Sequence, residues 1–284
     1  MVGSFGYSKK LEQRREMNQE PAESPYDIHF QAFGFPTRVT WGFWVAAIVL
    51  GWSACNSWDA SFSSRGIDSP GAPILLIIWS AAVFVSILVH ELGHALAMRY
   101  YGVQARMILY HFGGLAVGSS MGSWNGARRS TLKARDSLLI AAAGPAAQLA
   151  LALCVYLLGR SLGMRMELDW LIQDYFSIDP PEAQAPSSAA AYAMFNSLVT
   201  PSVLWAVLNL LPIIPMDGGN IMLNALVLSK NPDAQRNAHL ISIFVAVLVA
   251  IYCFQNIGDP MLTMMCLLLA AINWQQLQFM SGRF

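Results

Sequence analysis

The stretch SILVHELGHALAMRYYG, residues 86–102, places two histidines and a glutamate in a run that is otherwise soluble in lipid. His90 and His94 lie four residues apart, so on a helix both imidazoles project from one face, a turn apart. Two imidazoles in this array can bind one zinc ion, and Glu91 between them is placed to take a proton from water activated there. The reaction class implied is amide hydrolysis without a covalent enzyme intermediate. The competing reading is structural, with polar side chains bridging neighbouring helices. Each ionisable side chain near a bilayer centre costs about 2.5–3.5 kcal/mol on insertion scales. Three within one turn need a compensating partner, and a divalent metal supplies it.

The surroundings make this a membrane segment. The chain of 284 residues is 55% hydrophobic and 12% charged, with a mean hydropathy of +0.44, whereas soluble domains carry roughly 25% charge. Apolar runs near the length that crosses a bilayer recur. The expected architecture is an all-α polytopic membrane protein of about six transmembrane helices with a short membrane-associated β-hairpin. The spans are expected near 41–57, 73–99, 137–158, 191–211, 240–254 and 260–274, with a short helix near 221–228 and a kink at Pro201. The hairpin falls on MILYHFGGLAVG, around Gly113 and Gly114. Residues 1–28, with mixed charge and two prolines, read as a mobile cytoplasmic tail, leaving 29–284 as the membrane-embedded domain. The formal net charge of zero gives no sign of a nucleic-acid partner, and the four cysteines show no metal-ligand spacing. No removable signal peptide is visible. Six spans with the N-terminus inside put fourteen of the seventeen Lys and Arg residues on the cytoplasmic side, so the positive-inside rule places both termini there.

A catalytic zinc takes three protein ligands and keeps one position open. The HExxHxxGxxH pattern fails, because Ala97 and Tyr100 stand at its Gly and last His positions. No glutamate occurs between Glu91 and Glu167, and Glu167 is expected outside. Asp136 sits in a basic stretch with Arg128, Arg129, Lys133 and Arg135, and His111 reads as an interfacial histidine. Asp217 remains. In NLLPIIPMDGG, residues 209–219, prolines and glycines break the helix around it. Non-helical backbone at membrane depth is tolerated only against protein or a wet cavity. A turn aspartate just past a span would explain the same residues. Depth favours the ligand: His90 lies about 13 Å from the cytoplasmic end of its span at 1.5 Å per residue, and the fourth span delivers Asp217 to that side.

Taken together, HELGH (90–94), AAAGPAAQL (141–149), NLLPIIPMDGG, FGG (112–114) and GFPTRVTW before the first span resemble the site-2 protease family of intramembrane zinc metalloproteases. The resemblance covers residues 33–225. It implies one zinc ion per chain held by His90, His94 and Asp217, with Glu91 as catalytic base. Asn209 would support the site or hold substrate, or else bond between helices. Gly113 and Gly114 would belong to a hairpin beside the cleft, where substrate adds as a strand. The family's middle motif usually reads AGPxxN, and here Gln148 occupies the Asn position, which leaves its contact, with substrate or structural, open. The type implied is a bare core without an inserted peptide-binding or C-terminal nucleotide-sensing domain.

The expected substrates are transmembrane proteins cleaved within the lipid bilayer, with a regulatory membrane partner left open and a bacterial inner membrane as the location. A non-catalytic relative would not need His90, Glu91, His94 and Asp217 intact. A transporter would need polar residues filed across several spans, and the expected fifth and sixth spans hold no ionisable residue.

Overall fold

Runs of Leu, Ile, Val and Ala without a polar face form helices that satisfy their own backbone, which lipid requires. The computed structural model describes residues 21–111, 113–119, 132–164, 166–169, 173, 188–257 and 260–281. Residues 1–20 of the expected tail, Phe112, Arg128 and Arg129 lie outside the described residues. The elements in order are β1 (Ile28–Ala32), β2 (Phe35–Val39), α1 (Trp41–Ser64), α2 (Ala72–Tyr100), β3 (Gln104–Tyr110), β4 (Gly113–Ser119), α3 (Ala134–Ser161), α4 (Ala189–Asn209), α5 (Asp217–Leu228), α6 (Ala234–Tyr252) and α7 (Pro260–Met280). A π-helical turn, Cys253–Ile257, extends α6.

Among the described residues five helices, α2, α3, α4, α6 with its extension, and α7, are long and apolar enough to cross a membrane. The chain is an integral membrane protein. The first expected span falls in α1, which at 24 residues is about 36 Å long but is not among the five. Trp41, Trp44, Trp52, Asn56, Trp58 and Asp59 dilute its apolar character. Helix α4 continues through Pro201 as one helix. The outward faces are apolar, with Ile77, Leu153, Phe244 and Met264 exposed, while Ser86, Gln148, Asn196, Ser202, Ser242 and Asn273 are buried.

The expected hairpin is present as β3 and β4, but it is half of a four-stranded sheet in the order β1-β2-β3-β4. β2 pairs in parallel with β3, Thr37 opposite Met107 and Val39 opposite Leu109. That pairing joins segments separated by two helices, so local alternation could not show it. The sheet packs on α2 through Phe35, Met107 and Ala95, and again through Val39, Leu109 and Ile87, which is the height of HELGH. Before β1, the carbonyls of Pro21 and Ala22 accept from Arg38, and Asp27 pairs with the same guanidinium at 3.1 Å. The end of the expected mobile tail is therefore fastened to the sheet.

Between α4 and α5 the chain turns at Leu210–Met216, with a cis peptide at Ile214-Pro215. Both backbone polar groups of Ile214 are satisfied by the last two helices. Its N–H donates to Ser242 Oγ at 3.0 Å, and its carbonyl accepts from Asn273 Nδ2 at 2.6 Å. Asn273 Oδ1 in turn meets His239 Nδ1 at 2.7 Å. Ile213 packs with Ala246 and Ala270. Helix α5 begins at Asp217 itself, four residues earlier than expected. A Cβ on Gly218 would stand 2.1 Å from the Leu210 carbonyl oxygen, so glycine lets the helix start fold back on the turn. Asn273→Leu should leave the Ile214 carbonyl unpaired, at a cost of about 1–3 kcal/mol. The expected outcome is a lower melting temperature in detergent, measured by tryptophan fluorescence.

Candidate metal centre

Helix α2 presents His90 and His94 on its buried face, both less than a tenth exposed. Asp217 reaches them from the first turn of α5, where a carboxylate also suits the helix dipole. Asp217 Oδ2 lies 3.1 Å from His90 Nε2 and 3.3 Å from His94 Nε2, and the two Nε2 atoms are 3.1 Å apart. The structure thus brings together all three residues singled out in the sequence as ligands, from segments 127 residues apart.

The donor set fits a metal ion. His94 Nδ1 lies 2.7 Å from the Ile140 carbonyl oxygen, which can only accept. Nδ1 therefore carries the hydrogen, and Nε2 keeps a lone pair directed at two other electron-rich atoms. Such a buried arrangement needs a shared positive charge. A tetrahedral centre with bonds of about 2.0–2.1 Å places its ligand atoms about 3.3 Å apart, close to the separations found. Among the described residues this is the group of His, Cys, Asp and Glu side chains whose ligand atoms converge.

Glu91 is 3% exposed and close enough to His90, His94 and Asp217 for their charges to act on it. The Ala116 backbone N–H on β4 lies near enough to the Glu91 carboxylate to act on it. Of that carboxylate, Oε2 is buried with no hydrogen-bond partner among the described residues. Tyr110 on β3 is near enough that burial, with the Glu91 charge adding, raises its phenol above the usual range. Gly114 lies against Glu91: a Cβ there would come 2.2 Å from Oε1. Gly144 on α3 lies against His94 in the same way, with a Cβ 2.2 Å from Nε2.

The remaining candidates are placed differently. Gln148 is fully buried and meets His90 Nδ1 through Oε1 at 2.9 Å, while its Nε2 donates to Ser86 Oγ at 2.8 Å. It lies behind the imidazole, with both ends of its amide engaged. Asn209 donates to the Trp205 carbonyl one turn back in its own helix at 3.1 Å. Gly113, at φ +115°, packs on the Trp205 ring. His111 is exposed on the β3–β4 turn, and Asp136 accepts from the Lys133 N–H at the start of α3. Ser86 and Ser202, 2.7 Å apart, are neighbours of the site that the sequence reading missed. Ser86 stands one turn before His90 on the same helix face, a signal that was available. Ser202 gave none.

Comparison with known proteins identifies the family of the chain. The model of peptidase family M50 matches residues 78–251, which include His90, Glu91, His94, Gln148 and Asp217. A Synechocystis sp. protein provisionally named a zinc metalloprotease, sll0528, is 28% identical over 156 residues, 54% of this chain and 33% of the relative. The aligned part of the chain thus spans about a third of that protein's length. The solved site-2 protease from Methanocaldococcus jannaschii matches over 89% of this chain and 95% of its own, at 21% identity and a TM-score of 0.47. With more than half of its length matched by the family model, the chain belongs to peptidase family M50.

Proposed function

We propose that this chain is an intramembrane zinc metalloprotease that hydrolyses peptide bonds within or near transmembrane segments of membrane-protein substrates. The observation that carries the reading is the meeting of His90, His94 and Asp217 at 3.1–3.3 Å, with a buried, unpaired oxygen of Glu91 beside them. His90, His94 and Asp217 would hold one zinc ion. Bound there, zinc would supply Lewis acidity, acidifying water and polarising the scissile carbonyl.

The chain's own residues do the rest. Glu91 takes the proton of the attacking water on Oε2 and passes it to the leaving amine nitrogen. Oε1 lies against Gly114 on β4, which leaves Oε2 as the oxygen that meets the reacting water. Among the described residues β4 is an edge strand of the sheet, so a substrate unwound into an extended strand can add there beside Glu91. Unwinding is required because a helical peptide bond is shielded by its own hydrogen bonds.

Residues 29–284 act as the membrane-embedded protease domain, with 1–28 as a cytoplasmic tail. With α1 counted as a sixth crossing, both termini are cytoplasmic, supported by the fourteen of seventeen basic residues on that side. The location proposed is a bacterial inner membrane.

In vesicles with a single-span substrate, Glu91→Gln should retain zinc and cut the cleavage rate by about 10²–10⁴-fold. A Glu91→Gln protein that cleaves at the wild-type rate would sink the assignment. His90→Ala should lose zinc, read by metal analysis of the purified protein. The two glycines separate the roles. Gly144→Ala crowds the His94 ligand nitrogen and should weaken zinc binding, whereas Gly114→Ala displaces Glu91 and should slow cleavage with zinc retained.

A further inference from the structure

Behind His90 a row of buried polar groups runs from α2 through α3 to α4, and its hydrogen bonds have only one possible direction. Ser202 Oγ donates to the Leu198 carbonyl one turn back in α4. A carbonyl cannot donate, so the single Ser202 hydrogen is committed there. The contact between Ser86 and Ser202, 2.7 Å, must then use the Ser86 hydrogen. With that spent, Ser86 can only accept, and Gln148 turns its NH2 group to it at 2.8 Å. The amide oxygen is thereby left facing His90 Nδ1 at 2.9 Å, where it accepts a hydrogen that Nδ1 must carry. Ser202 and Gln148 are fully buried, and Ser86 and His90 nearly so, which keeps competing water away.

We propose that Ser202, Ser86 and Gln148 are positioning residues that act through His90. The chain that starts at the Leu198 carbonyl holds His90 as the Nδ1–H form, so that its Nε2 lone pair faces Asp217 and His94. The inference rests on the zinc reading of the site. His94 reaches the same state through one bond, to the Ile140 carbonyl. Among the described residues His90 has no such carbonyl in its bonds, so an amide stands in for it. An amide has a wrong orientation as well as a right one. Turned over, it would donate to Nδ1, move the imidazole hydrogen to Nε2 and block that ligand position. The two serines are what hold the amide the right way round.

The test is zinc affinity of the purified protein in detergent, by competition with a chromophoric chelator, alongside melting temperature without zinc. Gln148→Met keeps the volume and loses the acceptor, and should weaken zinc by roughly 10–100-fold. Gln148→Glu offers an acceptor from either oxygen, and should stay within about threefold of wild type or bind more tightly. A packing role predicts the reverse order, since Met is nearly volume-conserving and a buried carboxylate is costly. Ser86→Ala should weaken zinc about 10-fold in the otherwise wild-type protein and have little effect when combined with Gln148→Glu, where no amide remains to turn over. Should Gln148→Met fail to fold, the Ser86 comparison decides alone. Equal zinc affinity in wild type and Gln148→Met, or an equal Ser86→Ala loss with and without Gln148→Glu, overturns this proposal and leaves the zinc site standing. A wild-type protein that binds no zinc overturns both.

Discussion

Two imidazole nitrogens and a carboxylate oxygen face one another at 3.1–3.3 Å inside a helix bundle whose outer surface is apolar. Neither lipid nor apolar side chains can solvate these atoms, so each must be held against its neighbours by groups that are themselves satisfied. Much of the fold answers that demand. α3 lies against His94 through Gly144, offers it the Ile140 carbonyl and sends Gln148 to His90. α4 closes the back of the site with Ser202. α6 and α7, which touch none of the three ligands by hydrogen bond among the described residues, fix the turn that aims Asp217 by satisfying Ile214 from both sides. The sheet stands on the remaining side and brings the Ala116 N–H near Glu91.

The parts legible in the sequence were those written in a local pattern. Helical periodicity alone sets His90 and His94 on one face, and the Pro- and Gly-interrupted segment around Asp217 marks non-helical backbone at depth. Apolar runs located α2, α3, α4 and α5 to within four residues, but left α1 and α7 six or seven residues short at their ends and α6 six residues short at its start. What stayed hidden depends on partners distant along the chain. Thr37, Val39 and Thr40 suit an extended strand, but nothing local says that GFPTRVT pairs in parallel with MILY. Ser242 and Asn273 look like ordinary polar residues in late apolar runs until the Ile214 backbone is seen between them. α1 is the expected span that composition does not support, because its tryptophans and polar residues lower its hydropathy although it is 24 residues long.

Gln148 shows how a departure from a family pattern can be read. From the sequence, its extra methylene relative to Asn left a contact in doubt. In the structure that length lets the amide span from His90 on one side to Ser86 on the other, both on α2 and one turn apart. The residue therefore serves the ligand rather than the open side of the site, and the hydroxyl pair behind it gives the amide its sense.

The central claim is that His90, His94 and Asp217 hold one zinc ion in the membrane. X-ray absorption at the zinc edge of the purified protein and of Asp217→Ala tests it most directly. The account predicts about one zinc per chain, surrounded by nitrogen and oxygen at about 2.0–2.1 Å with two imidazole rings, and one oxygen neighbour lost or replaced in the variant. A zinc-free wild-type protein, a shell containing sulfur, or a spectrum unchanged by Asp217→Ala would contradict it.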